Sequence, residues 1–508
     1  MAGLKDADDF REGEQFKGGG LLKLALLGGG VLFLIVFFVL YAAGSEQSKQ
    51  AMGYSWLFAV TYFLTLSIGG IFWTLLHHAS NSGWGIVVRR LMENIGSMVL
   101  FMLILGLPLI VPAFEFRDAL WEWFPKKAEI EHHIHEDFDQ KLADLKSDYE
   151  KNKADAQSAF NAFKSEKEAA IAKPGVTPGH ANHLKEAIAH EEKELQKLLD
   201  KDLSEKALTK EIRKDAYMDH HHGDVLLWKK DGYLNNGAWY FRFVLYFIAL
   251  VGIIYTLRFW SVRNDKDGDP KWFLLQRRWA CGFLPFFAAA WTFLVFDWLM
   301  ALDYKWFSTM WGVYLFAGSA LNSMALLILL TSWLRKTGHL KNVVTPEHYH
   351  LMGKLLLAFT IFWAYIAFSQ FFLIWYANIT EETVFYLTRN TGYWNKHAMI
   401  FLVAGHFFIP FGFLLIQQAK KNVKYICGVA IWTLLMHLMD IYWIIIPERG
   451  PSITHGQEMI IKGAIIYDIV AFLAVGCLFG FALLWRLGTA SLFPCRDPRL
   501  DESLNVIN

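Results

Sequence analysis

His437 and Asp440 stand three residues apart in one long apolar run, so on a helix they share a face. A carboxylate stabilises an imidazolium, and desolvation brings both groups into the working pH range, so such a pair can pass a proton. His406 lies in the preceding apolar run, with Pro410 four residues on. The proline has no N–H to give the His406 carbonyl, so the spacing predicts a kinked helix with a free acceptor beside a titratable ring. Pro285 does the same for Cys281, in the run that carries Asp297. Asp468 opens the last run, and Tyr442, Tyr467, Ser369 and Gln370 extend the polar set. An ionisable group in hydrocarbon is expensive unless partnered, which makes each of these a functional candidate.

A second polar group gathers at the other ends of the runs: His77, His78, Arg89, Arg90, Glu93, His348, His350 and Lys354. Two readings stand for it. His77, Arg90 and Glu93 belong to a proton route, or Glu93 simply pairs with Arg89 and Arg90 at (i, i+4) and (i, i+3). Lys354 lies near a run's end, where its long stem lets the ammonium reach water.

Two histidine clusters fall outside the apolar runs. One is His132, His133, His135, Glu136 and Asp137; the other is Asp219, His220, His221, His222 and Asp224. Imidazole with carboxylate suits zinc, copper or nickel. Neither cluster has zinc-type spacing, so a solvated or partner-facing surface is the reading preferred over a metal site.

These residues sit on elements of one kind. Ten runs, near 21–43, 55–78, 88–113, 238–260, 279–302, 309–334, 351–377, 395–417, 424–447 and 463–487, are long and apolar enough to cross a bilayer as helices, called spans 1–10 here. The chain therefore reads as an all-α polytopic membrane protein. Its segments are a tail at 1–20, spans 1–3 at 21–116, an insertion at 117–235, spans 4–10 at 236–487 and a tail at 488–508. Span 1 is too long for a signal peptide and follows the acidic Asp6, Asp8, Asp9, Glu12 and Glu14, so it reads as retained. Lys and Arg crowd the loops on the side of the termini (Arg89, Arg90, Arg277, Arg278, Lys420, Lys421 among them) and are sparse in the short loops on the other side (Lys49, Lys305, Arg389, Lys396, Arg449, Lys462). By the positive-inside rule both termini are cytoplasmic and the insertion is outside. The abundant Trp and Tyr read as an interfacial belt, and Trp363, Trp375 and Tyr376 require no cofactor.

The insertion carries much of the charge in a chain that is 54% hydrophobic and only 19% charged. Residues 137–172 read as a helix with a stripe of Phe138, Leu142, Leu145, Tyr149 and Ala156. Pro174, Gly175, Pro178 and Gly179 break it, and a second stripe follows at Leu184, Ile188, Leu195 and Leu199. The expectation is an antiparallel helical hairpin whose base brings the two histidine clusters together.

Composition excludes several classes. A chain this apolar is not a soluble enzyme. The 49 basic and 48 acidic residues nearly cancel, which argues against nucleic acid as a partner. The four cysteines, Cys281, Cys427, Cys477 and Cys495, form no Cys-x-x-Cys, so the chain attaches no c-type haem and shows no iron–sulfur motif. His406 and His437 are the one deep histidine pair, too little for a b-type haem. No phosphate-binding GxxxxGK[ST] loop appears.

Several stretches are specific enough to suggest a family. They are "GIFWTLLHHASNSGWGIVVRRLMENI" (70–95), "FDWLMALDYKWFSTMWGVY" (296–314), "FWAYIAFSQFFLIWYANITEET" (362–383), "HFFIPF" (406–411) and "MDIYWIIIP" (439–447). Together they resemble the F subunit of bacterial alternative complex III, in the NrfD-like superfamily of polysulfide-reductase membrane subunits. Tyr304-Lys305 stands where that family usually has Pro-His, and the 131–235 insertion is larger than the family needs.

The resemblance implies two four-helix bundles, spans 2–5 and 6–9, flanked by spans 1 and 10. It also implies a bacterial inner-membrane complex that oxidises quinol (menaquinol among the candidates). Electrons would leave through iron–sulfur and c-type cytochrome subunits, with haem c and Fe–S held by those partners and a terminal oxidase as a further one. A sister NrfD-like subunit would hold the better-supported quinol site, and this chain would add a proton path through His77, Arg90, Glu93, Asp297, His406 and Asp440. Three other readings stay open: a quinol site of its own near the outer face at Asp297, His437 and Asp440; a secondary transporter; and a scaffold whose buried charges are only ion pairs.

Overall fold

The computed structural model describes residues 5–111, 114–200, 204–219, 223–449 and 464–507. Among these residues the chain is helical, with one isolated bridge, Gln15 to Ser491, and no strand. Ten helices are long and apolar enough to cross a membrane: Gly20–Ala43, Glu46–Ala79, Ile86–Ile110, Asn236–Asp267, Pro270–Leu302, Trp311–Lys336, Pro346–Ala377, Gly392–Leu415, Val423–Glu448 and Ile465–Leu487. The protein is an all-α polytopic membrane protein. Hydropathy finds all ten spans but undershoots several ends. Span 2 starts at Glu46 because Ser45 caps it, accepting from the Ser48 N–H. Span 5 starts at Pro270, with Asp269 as its cap and proline in the first turn.

The contacts between spans build two groups of four. Span 2 packs on spans 3 and 5, and span 4 closes that group by packing on spans 3 and 5. Spans 6, 7, 8 and 9 form the second ring. Span 2 also packs against span 6, which makes it the seam, and spans 10 and 1 pair on its outer side. Span 2 is correspondingly buried around its whole circumference from Met52 to Ile71. Two adjacent glycines permit this. A Cβ on Gly69 would collide with the Ser319 carbonyl of span 6, and one on Gly70 with the Gly96 amide of span 3. Within a bilayer, such close backbone approach supplies the dispersion contact that holds helices together.

Both tails fold over the same face of this body. The Ala7 N–H donates to Asp501 Oδ1 at 2.7 Å, and the Leu340 N–H donates to Glu14 Oε2 at 2.9 Å. Ser503 Oγ donates to the Trp84 carbonyl at 2.7 Å. We call this the terminal face.

Residues Trp123–Asn235 make a second compact unit, so its start lies six residues after the charge pattern begins. The long helices Phe138–Ile171 and Pro178–Leu199 pack together as the expected hairpin. Their apolar stripe is half-buried, and only Tyr149 is buried, with its hydroxyl donating to the Leu198 carbonyl at 3.0 Å. Gly175 takes the turn at φ +96°, while Pro178 and Gly179 belong to the first turn of the second helix. The base holds more than a hairpin. Helices Trp123–Glu136, Glu205–Met218 and Val225–Lys230 pack there and bury Ile130, Ile134, Leu208, Ile212 and Leu227. Glu131 takes an ion pair from Arg213 and a hydrogen bond from Tyr217. Burial, then the charge of Glu131, raises the Tyr217 phenol above its ordinary range.

Candidate functional site

The second bundle gathers His406, His437 and Asp440, all fully or almost fully buried. Asp440 accepts two hydrogen bonds, from the Tyr314 hydroxyl of span 6 at Oδ1 and from Trp363 Nε1 of span 7 at Oδ2, 3.1 Å. His437 places Nδ1 3.6 Å from Asp440 Oδ2, the pairing expected three residues apart on one helix. Its other nitrogen, Nε2, meets Thr65 Oγ1 of span 2 at 3.2 Å. Asn322 Nδ2 of span 6 donates to the same Thr65 oxygen at 3.3 Å. The imidazole has room because position 318 is glycine: a Cβ there would lie 2.6 Å from His437 Cε1.

His406 joins from span 8. Its ring centroid lies 3.9 Å from that of Trp363 and 5.9 Å from that of His437. Neither of its ring nitrogens meets a hydrogen-bond partner among the described residues. Buried polar atoms are nearly always satisfied, so a buried imidazole with no protein partner is a candidate position for bound water or for proton exchange. The backbone here is unusual. Ala398–Phe408 is a π-helix, a rare form that recurs at functional sites. The helix that carries Pro410 thus takes a wider register just before the proline. The Ile409 N–H bonds the Ala404 carbonyl, five residues back, and the Gly405 carbonyl accepts from Trp432 Nε1 at 2.8 Å.

Asp440, His437, Thr65 and Asn322 lie in a polar line, hydrogen-bonded from Asn322 through Thr65 to His437 and broken by the 3.6 Å separation of His437 Nδ1 from Asp440. An imidazole can take a proton on one nitrogen and release it from the other, which is the chemistry this arrangement allows. Toward the terminal face, Ser319, Thr331, Thr360 and Thr433 donate to carbonyls of their own helices. Toward the opposite face, His397 Nε2 lies 3.0 Å from the Met439 carbonyl, and the Tyr442 hydroxyl donates to Asp468 Oδ2 at 3.1 Å.

Asp297 stands elsewhere. It belongs to the first bundle, where Arg242 grips it from span 4 with two parallel hydrogen bonds of 2.9 and 2.8 Å and Tyr246 donates at 2.7 Å. Among the described residues its side-chain hydrogen-bond partners are all on span 4, and Asp297 makes no contact of this kind with His437 or Asp440. Asp468 likewise is held in an ion pair with Arg449 and accepts from Ser55 Oγ at 2.6 Å.

The terminal-face group is a dense ion-pair network. Glu93 lies 3.6 Å from Arg89 and 3.1 Å from Arg90, and accepts from Ser261 Oγ at 2.7 Å. Arg90 reaches Asp265 at 2.8 Å, and Arg89 reaches Asp497 of the C-terminal segment at 2.7 Å. His77 and His78 are buried beside it; His77 Nε2 and both nitrogens of His78 lack a hydrogen-bond partner among the described residues. Just outside the spans, burial and then the charge of Lys354 lower the Lys420 ammonium.

Of the histidine clusters, His132, His133 and Glu136 place ligand atoms within 4.8 Å of one another on an exposed helix face. His135 is not part of that group, and His220, His221 and His222 lie outside the described residues.

Sequence reasoning misses the partners. Trp363, assigned to the belt, is buried, whereas Trp375 and Tyr376 are 65% and 76% exposed as a belt requires. Arg242 and Asp497 have no role in the sequence reading, and Arg449 counts there only as an outer-loop cation; an aspartate late in one span and an arginine early in its sequence neighbour is the available signal for Arg242. Arg389, read as a loop cation, is 1% exposed and donates to the Trp443 and Ile444 carbonyls at the end of span 9. No family model matches this chain, and comparison with curated proteins returns no match.

Proposed function

We propose that this chain is an integral membrane subunit of a bacterial quinol-oxidising respiratory complex of the alternative complex III kind. In this reading it contributes a proton path and carries no redox metal of its own. The observation that carries the reading is the buried cluster of His406, Trp363, Asp440 and His437, continued by Thr65 and Asn322. Titratable groups gathered this closely inside an apolar body serve proton transfer better than packing. Asp297, clamped by Arg242, then belongs to the scaffold and not to a quinone head-group site. The sister NrfD-like subunit, an iron–sulfur subunit and c-type cytochromes supply the quinol chemistry, the Fe–S clusters and haem c. Quinone, if it reaches this chain, meets His437 and Asp440. The chain lies in the bacterial cytoplasmic membrane with both termini inside.

The test is to purify the native assembly and reconstitute it with Asp440→Asn or Asp297→Asn. Co-purification of haem-bearing chains, with proton release per quinol lowered by Asp440→Asn to the level that quinol oxidation alone supplies and unchanged in the fraction of Asp297→Asn protein that still assembles, supports the reading. A lone colourless chain, or unchanged proton release in Asp440→Asn, overturns it.

A further inference from the structure

Spans 4 and 10 enclose a cleft of about 280 Å³ at their terminal-face ends, lined by Tyr255, Arg258, Phe259, Val262, Arg263, Lys266 and Arg486. Four of its seven lining residues are cations and none is a carboxylate. None of the four meets a carboxylate at ion-pair distance among the described residues. Two of them are nonetheless fixed in place by neutral acceptors. Arg258 donates to Asn94 Oδ1 at 3.1 Å and to Thr489 Oγ1 at 2.8 Å; Arg486 donates to Ser97 Oγ at 3.1 Å and lies 4.9 Å from the Tyr255 ring centroid. The neighbouring carboxylate, Glu93, is occupied by Arg89, Arg90 and Ser261. The fold thus spends hydrogen bonds on orienting positive charge that it leaves uncompensated.

The other walls say what the counter-charge is attached to. Tyr255, Arg258, Phe259, Val262 and Lys266 recur at steps of three, four, seven and eleven, which is one face of span 4. Phe259 is 57% exposed on that face, deeper along the span than the exposed Arg263 and Lys266. Lys266 and Arg486 each stand one residue from the end of their span, at the level where head groups lie. A ligand here must be anionic at one end and apolar below it. The volume is about nine times the roughly 30 Å³ share of a liquid water, enough for a phosphodiester and part of its glycerol. Basic pockets between spans are the known physical setting for anionic head groups.

We propose that this cleft seats the phosphate of an anionic phospholipid, with the lipid chain running along Phe259. Arg258 and Arg486 bind the phosphate from the protein side, and Arg263 and Lys266 close over it from the aqueous side. The site is independent of any reading of the His406 cluster.

The experiment uses the full chain in an uncharged detergent, titrated with phosphatidylglycerol or phosphatidylcholine and followed by native mass spectrometry. Preferential retention of phosphatidylglycerol by at least tenfold is expected. Arg263→Gln with Lys266→Gln, both exposed and remote from the packed core, lowers that preference at least fivefold while the thermal unfolding midpoint without lipid stays the same. Equal retention of the two lipids, or full preference kept in the double variant, overturns the proposal. Inorganic phosphate is the second probe: failure to displace phosphatidylglycerol at equal concentration supports a lipid site, and complete displacement overturns it in favour of a site for free phosphate.

Discussion

Trp363 packs its indole against the imidazole of His406, ring centroids 3.9 Å apart and planes tilted by 53°, while donating its Nε1 hydrogen to Asp440 at 3.1 Å. One side chain therefore fixes the position of two titratable groups on two different helices. Trp363→Phe keeps the ring but removes the donor, so Asp440 retains Tyr314 alone. The expected outcome is folded protein whose proton release per turnover falls part of the way to the Asp440→Asn level. Flash or stopped-flow pH-dye measurement in vesicles reads this, and a Phe variant with full proton release would remove Trp363 from the path.

Gly318 is the space in which His437 sits. Gly318→Ala puts a carbon 2.6 Å from Cε1, closer than van der Waals contact allows. Overpacking of this kind costs about 1–3 kcal/mol. Reversible unfolding in mixed detergent should report that loss, and proton release should drop because the ring must leave Thr65. Wild-type stability in this variant would show that the site is loose.

Arg242 and Asp297 form a two-point pair in the other bundle. Removing one member of a buried pair costs about 3–5 kcal/mol, because the other is left uncompensated. Asp297→Asn should therefore lower stability strongly, and adding Arg242→Gln should recover part of it. Strict additivity of the two losses would show that the pair is not coupled.

Asp497 reaches Arg89 from the C-terminal segment, with both side chains buried. Asp497→Asn keeps an acceptor oxygen but removes the charge, so among the described residues Glu93 at 3.6 Å is the one carboxylate left beside that guanidinium. The tail should loosen, and limited proteolysis should cut after Arg496 or Arg499 at least several times faster. An unchanged cleavage rate would mean that Ser503 and Asp501 hold the tail without it.

Cys495 is buried in the same segment, where desolvation first and Asp265 second push its thiol up to about 11. The thiolate is the reactive form. With the other three cysteines replaced, iodoacetamide labelling at Cys495 should be slow at pH 8 and rise through pH 10 to 11. Labelling that saturates near pH 9 would contradict the burial of the tail.

The spans are legible because bilayer thickness sets helix length, a constraint that needs no knowledge of neighbours. His437 and Asp440 are legible for a related reason: a three-residue spacing is a contact already. The partners are not. Tyr314, Thr65 and Asn322 are ordinary polar residues of ordinary spans, and only the packing of spans 2, 6 and 9 singles them out. Arg242 and Arg449 stand near span ends, where arginine reads as reaching for water; each instead turns onto a carboxylate. The pattern around Pro410 announces a break in helix 8 but not its form, since a kink and a wider helix both answer a missing donor.

That wider helix has a geometric consequence. His397 and His406 are nine residues apart. At the roughly 100° per residue of an α-helix they would point in opposite directions. At about 82° per residue, the winding that i→i+5 bonding gives, nine steps come to slightly more than two full turns. Both rings then aim the same way, and both do meet span 9, His397 at the Met439 carbonyl and His406 beside His437. Deleting a single residue between them would restore the narrower winding and turn one imidazole out toward lipid. The alignment of two histidines thus hangs on a count of residues, which makes this short segment far less tolerant of a one-residue gap than of a changed side chain.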